Sequence, residues 1–257
     1  MRIASEQVLL LAVLGLGVLD TTAWAHDVTL WPEQTGKSVT LGMRYGDPGD
    51  YQPIDKIRVV ELAVFDSRSV RIGFLRDIER GSDNKTLSTS NLRLGDWPAG
   101  TYVAASRYDN GFYIHDVENR PVATTKEWWP DAIDSAHYLK FSKALFHIGP
   151  PSAGFDRVIG HRLELIPRGD PFAAKDGSLL PVEVRFDGVV LKNHIVEVGD
   201  DTAASKGPEL RTDSRGTVMV KLDHSGFYRL AVDHRAASKY PELFAYDDYT
   251  ASLLFAR

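Results

Sequence analysis

The sequence predicts a mainly-β protein built as two β-sandwich domains, the second immunoglobulin-like with Greek-key connections, behind a cleaved signal peptide. Three observations predict it. Short runs of alternating apolar and polar residues recur at near-regular intervals, separated by Gly, Pro and Asp clusters. Helical periodicity is scarce. A Gly/Pro-rich connector at residues 148–154 (IGPPSAG) divides one series of such runs from a second, more regular one.

The first 25 residues read as an export signal. Arg2 supplies a thin positive region, residues 8–19 an apolar run, and Ala23-Trp24-Ala25 a small-x-small cleavage signal. The apolar run is too short to span a bilayer as a mature helix, and no second long one follows. A periplasmic location with no membrane span in the mature chain is expected. The absence of cysteine rules out disulfides, thiolate zinc sites and a lipoprotein anchor. It does not argue against export, since a chain of this size can bury enough apolar surface without staples.

The first domain is expected over residues 26–155. Residues 28–31 alternate up to Pro32, residues 38–45 (SVTLGMRY) alternate up to the turn cluster GDPGD, and residues 57–65 (IRVVELAVF) give a third strand. Residues 69–75 and 85–94 read as a fourth and a fifth, and WPAG turns into a strong strand at 101–108. Residues 112–115 (FYIH) could be a strand. Residues 133–146 (IDSAHYLKFSKALF) fit either period in part and are read as helix passing into strand. The Trp128-Trp129 pair ahead of them could serve as a sugar platform or be half core, half surface.

The second domain is expected over residues 156–257. It opens on the short strand of GHRLELIP (160–167), stopped by a proline that cannot donate to a ladder. Residues 180–186 and 189–198 flank Asp187-Gly188, a hairpin dipeptide that needs positive φ. A polar loop covers 199–208, TDSRG turns at 212–216, and His224-Ser225-Gly226 turns into a strand at 227–232 (FYRLAV). Residues 249–255 (YTASLLF) read as a terminal strand pairing at a sheet edge.

Charge and motifs exclude several function classes. The net charge is -5 and basic residues are scattered, so nucleic acid is disfavoured as a partner. Gly-x-Ser-x-Gly, a Walker loop, a dinucleotide fingerprint and HExxH are absent, which points to a binding protein and not an enzyme. A glycosidase-type carboxylate pair, which needs no closeness in sequence, is left open. Cleavage after Ala25 makes His26 the first residue of the mature chain. Its free α-amine and imidazole could then chelate one ion through two nitrogens, a donor set suited to nickel, copper and zinc. His115, at a strand end beside Asp116, and His234, at the end of a second-domain strand, are the further candidate ligands. His161 is expected to hydrogen-bond across the domain junction, and His137, His147, His194 and His224 rank below.

The ordered series GHRLELIP with Asp170-Pro171, the FDG hairpin, TDSRG before a valine-rich strand, GFYRLAV and closing YTASLLF, with a mature start at His-Asp, carries a resemblance. It resembles the periplasmic family, labelled as a domain of unknown function, whose members are assigned as components of cobalt/nickel ABC-type (ECF-like) uptake systems. The resemblance implies a two-domain β protein that binds or delivers Ni(II) or Co(II) outside the inner membrane, with an inner-membrane uptake transporter as partner. Copper handling through the same terminal chelate, and a non-metal module binding glycans or proteins, are the alternatives.

Overall fold

The computed structural model describes residues 26–35, 38–68, 71–73, 78–89, 92–93, 97–200 and 207–257. The expected signal segment, 1–25, lies outside the described residues, as do 69–70 and 74–75 of the expected fourth strand, 90–91 and 94 of the fifth and 201–206 of the polar loop. The chain is mainly β. Its first part runs β1 (Val28–Thr35), β2 (Ser38–Asp47), β3 (Asp50–Gln52), β4 (Val59–Phe65), β5 (Arg71–Gly73), β6 (Ile78–Arg80), β7 (Thr86–Thr89) and β8 (Leu92–Arg93). Two long strands follow, β9 (Gly100–His115) and β11 (Asp134–Ile148), with the short β10 (Pro121–Val122) between them. The second part contains β12 (Leu163–Pro167), β13 (Ser178–Phe186), β14 (Val189–Val190), β15 (Ile195–Gly199) and β16 (Glu209–Arg211). It closes with β17 (Thr217–Leu222), β18 (Phe227–Ala237) and β19 (Tyr246–Ala256).

Among the described residues these strands form three layers. The central sheet has the order β16-β15-β18-β19-β11-β9-β4-β5, with β10 beside β9. An N-terminal sheet (β1-β2-β7-β6, with β3 and β8 on β2) covers one face, and a C-terminal sheet centred on β13, flanked by β12, β14 and β17, covers the other. Side chains of alternating parity therefore enter different cores. Tyr102, Ala104, Ala144, Phe146 and Leu254 pack with Val28, Leu30 and Leu41 on the N-terminal side. Val103, Phe141, Leu145, Leu253 and Phe255 pack with Leu165, Val182 and Val220 on the C-terminal side. The two sandwiches thus share a sheet. The expected boundary after residue 155 falls in the connector between β11 and β12, while the central sheet runs across it through a parallel pairing of β11 with β19.

Two local readings change. Residues 134–148 are strand throughout, with no helix. Lys140, Ser142 and Lys143 are buried there, so polar residues interrupt the apolar alternation at core positions. The last strand is not an edge: β19 lies between β18 and β11. It is buried at every position from Asp248 to Phe255, on both faces, as an interior strand is. The hairpin dipeptide behaves as its chemistry requires, with Asp187 at φ 48° and Gly188 at φ 81°.

Ser142 and Ser252 face each other across the β11–β19 pair and tie β1 to it. The Leu30 N–H donates to Ser142 Oγ at 2.9 Å, the two hydroxyl oxygens lie 2.9 Å apart, and Ser252 donates to the Val28 carbonyl at 2.6 Å. A carbonyl only accepts, so the chain of donors runs from β1 through Ser142 and Ser252 and back to β1. The connector before β12 has its own anchor. Lys143 Nζ donates to Glu164 Oε1 at 2.9 Å and to the carbonyls of Arg157 (2.8 Å) and Leu165 (3.1 Å). Glu164 also accepts from the N–H groups of Ile159 (2.7 Å) and Gly160 (3.0 Å). Every donor of the buried ammonium has a partner, which offsets the cost of taking it out of water. Glu164 in GHRLELIP is thereby a structural residue.

Removing one member of this pair strands the other. Glu164→Leu is expected to cost about 3–5 kcal/mol in urea unfolding; a cost below about 1 kcal/mol would contradict the arrangement. Ser252→Ala leaves the Val28 carbonyl unpaired in the interior and is expected to cost about 1–3 kcal/mol by the same measurement.

Candidate metal centre

The relay through Ser142 and Ser252 fixes the start of β1, and with it His26 and Asp27. The Asp27 carbonyl accepts the Gly46 N–H at 3.0 Å, so the residues ahead of β1 stay aligned with β2. The His26 ring tilts against Tyr45, centroids 5.7 Å apart, and Tyr45 stacks in turn on Tyr108 at 5.8 Å. Tyr45 accepts from Asn110 Nδ2 at 3.1 Å, and burial pushes its phenol up to about 12, so it stays neutral. His26 Nδ1 is buried with no hydrogen-bond partner.

Asp27 is buried beside it. Its Oδ2 accepts from Arg229 Nη2 at 2.5 Å, and Arg229 Nη1 donates to Glu197 at 3.1 Å. Burial works against the guanidinium charge, but Asp27 and Glu197 overcome it and hold Arg229 above its ordinary value. Asp27 Oδ1 has no partner, nor do Arg229 Nε, Thr29 Oγ1, Thr250 Oγ1 and Ser106 Oγ. Buried polar atoms ordinarily find partners, so each of these orphaned atoms is one that ordered water or an ion would satisfy. Lys140 and Asp233 complete the polar layer. Burial lowers Lys140 against the pull of Asp233, Asp248 and Asp27, and burial raises Asp233 against the pull of Lys140. The donors at His26 and Asp27, one imidazole nitrogen and one carboxylate oxygen, fit a borderline transition ion.

The three sequence candidates do not converge. Arg229 on β18 reaches Asp27 of the N-terminal side, whereas His234, of opposite parity on the same strand, packs on Phe186 of β13 at 4.2 Å. The central sheet therefore separates His26 from His234. His115 ends β9, between Pro121 and Asp134. Its expected carboxylate partner is engaged elsewhere: Asp116 Oδ1 accepts from the N–H groups of Glu118 (3.0 Å) and Arg120 (2.9 Å), and Oδ2 from Arg120 Nε (2.8 Å). Among the described residues no three His, Asp or Glu side chains form a metal-binding group. A terminal chelate draws two nitrogens from one residue, so it needs fewer converging side chains.

The remaining histidines have distinct surroundings. His194 Nε2 lies 3.0 Å from His234 Nδ1, a pairing that no spacing rule reveals because the two belong to different hairpins. Burial and the neighbouring His194 hold His234 below its ordinary value. His137 Nε2 meets Asp109 at 2.8 Å, with its ring stacked on Phe112 at 4.4 Å. Trp128 is 79% exposed and Trp129 41%, in the turns ahead of β11. His161 is buried against Phe141, ring centroids 5.0 Å apart, and its Nε2 makes none of the expected hydrogen bonds across the junction. Burial lowers its pKa to about 4, with Lys143 and Arg107 adding to the effect and Glu164 opposing it.

That shift sets a pH dependence. The unfolded chain takes up the His161 proton near pH 6.5, but the folded chain refuses it until about pH 4. Stability from this residue is complete above 6.5 and is lost as pH falls towards 4, by about 3 kcal/mol in all. Urea unfolding of the parent and His161→Phe at pH 7 and pH 4.5 checks it: the variant should lose less stability than the parent between the two pH values. An equal loss would contradict the assignment.

No curated protein matches the chain. Among solved structures it is similar to a tetra-tandem repeat in the extending region of a large adhesion protein, at 12% identity and a TM-score of 0.27, over 89% of this chain and 48% of that one. The chain thus spans about half the length of that structure. It is also similar to titin Ig tandem domains, at 10% identity and a TM-score of 0.18, over 90% of this chain and 97% of that one. The family model of the domain of unknown function DUF4198 matches residues 23–236, and the chain belongs to that family.

Proposed function

We propose that the protein is an exported, periplasmic carrier of a divalent transition metal, nickel or cobalt, that supplies an inner-membrane uptake transporter. The mature His26 is its chelating residue. The observation that carries this reading is that Nδ1 of His26 and Oδ1 of the next residue, Asp27, are both buried without a partner. Export cleavage after Ala25 would add the α-amine, giving two nitrogens of one residue to one ion. The family match opens at residue 23, next to that cleavage point. Arg229 and Glu197 hold Asp27 in place, and Tyr45 gives the imidazole a fixed wall. The role proposed is carriage without catalysis. Copper is the second reading for the same site, because nitrogen donors take Cu(II) most tightly of the divalent series.

Calorimetric titration of nickel, cobalt, copper and zinc into the cleaved protein, beside a copy with one extra N-terminal alanine, tests it. Nickel or cobalt affinity should fall by more than about tenfold in the extended copy, as loss of a chelating donor requires. Equal affinity in the two forms would remove His26 from the site. Copper retained against excess nickel and cobalt would assign the site to copper.

A further inference from the structure

The second nitrogen pair lies on the opposite face of the central sheet. His194, in the loop between β14 and β15, and His234 on β18 bring Nε2 and Nδ1 to 3.0 Å, with ring centroids 5.1 Å apart. Both are half-buried. His194 Nδ1 stands 3.2 Å from the Lys192 carbonyl. A carbonyl can only accept, so Nδ1 carries the proton and Nε2 presents a bare lone pair. That lone pair faces His234 Nδ1, which donates to it in the metal-free chain.

Both rings are held from behind. The His194 N–H donates to Thr212 Oγ1 at 2.8 Å, and its carbonyl accepts the Thr212 N–H at 2.9 Å. His234 rests on Phe186, whose ring also packs against Tyr249 at 5.0 Å. A backbone carbonyl on the far nitrogen of a histidine is the arrangement that orients imidazole ligands and sets their tautomer. Spacing fits as well. Two nitrogens each about 2.0–2.1 Å from one ion, at angles between a right angle and tetrahedral, are about 2.9–3.4 Å apart.

We infer that His194 and His234 form a second site for a divalent transition metal, with two imidazole nitrogens as protein ligands and water or a donor carried by the ion in the remaining positions. Binding requires only that His234 hold its proton on Nε2 instead of Nδ1. The site uses none of the donors at His26, so neither site needs the other.

Zinc(II) titrated into the mature chain carrying an extra N-terminal alanine tests this, because the extension disables the terminal chelate. One equivalent should bind, weakened more than about tenfold by His194→Ala and by His234→Ala and unchanged by His224→Ala. Nitrogen-15 spectra of the unaltered chain supply a readout that does not depend on the variants folding: zinc should move His194 Nε2 and His234 Nδ1 to metal-bound positions. Unchanged zinc affinity in both variants, or no zinc-dependent shift at either nitrogen, would overturn the site. Failure of the terminal chelate would appear instead as equal affinity of free and extended chains, and leaves these outcomes unaffected.

Discussion

Ser142 and Ser252 stand opposite each other where the middle of the chain pairs in parallel with its last strand, and their hydroxyls close on the backbone of the first. Three segments far apart in sequence meet there: β1, β11 and β19. The parallel pairing makes β19 an interior strand covered by both outer sheets, and the serines satisfy β1 groups that would otherwise be buried unpaired. Because β1 is fixed in this way, the two residues ahead of it occupy a defined place against Tyr45 and Arg229. The position of His26 follows from a hydrogen-bonded chain in the interior, not from anything in its own neighbourhood of sequence.

The two faces of the central sheet differ in chemistry. The C-terminal side is a nearly continuous apolar core of Leu, Val and aromatic residues. The N-terminal side contains, beside its apolar cluster, a layer of Asp27, Lys140, Glu197, Arg229, Asp233 and Thr250. Such a layer stabilises little unless each charge is paired, and several of its atoms lack partners in the protein. Retaining charged and orphaned groups in an interior is costly unless a partner or ordered water satisfies them. The buried Lys143–Glu164 pair on the other side contrasts with it, since all of its donors are satisfied and it serves the connector.

Much of the fold was legible. Alternation located most strands, Asp187-Gly188 marked a hairpin, and proline after Ile166 ended β12 where expected. Reading failed where burial on both faces erased the alternation. Residues 133–146 resembled either period because Lys140, Ser142 and Lys143 occupy core positions. YTASLLF looked like an edge although a run buried at every position, Thr250 and Ser252 included, is the mark of an interior strand. The site was legible only in part. His26 could be singled out from the cleavage signal, but its orphaned Nδ1 and the Asp27–Arg229–Glu197 chain are tertiary facts. His234 was singled out for a strand-end position, yet its partner is His194 from another hairpin, and the parity of β18 turns it away from His26.

The most direct measurement of the central claim is anomalous diffraction from crystals of the cleaved protein soaked with nickel. A nickel peak is expected within bonding distance, about 2.0–2.2 Å, of both the His26 α-amine and its Nδ1. Nickel absent from His26 in a crystal whose N-terminus is cleaved and ordered would contradict it.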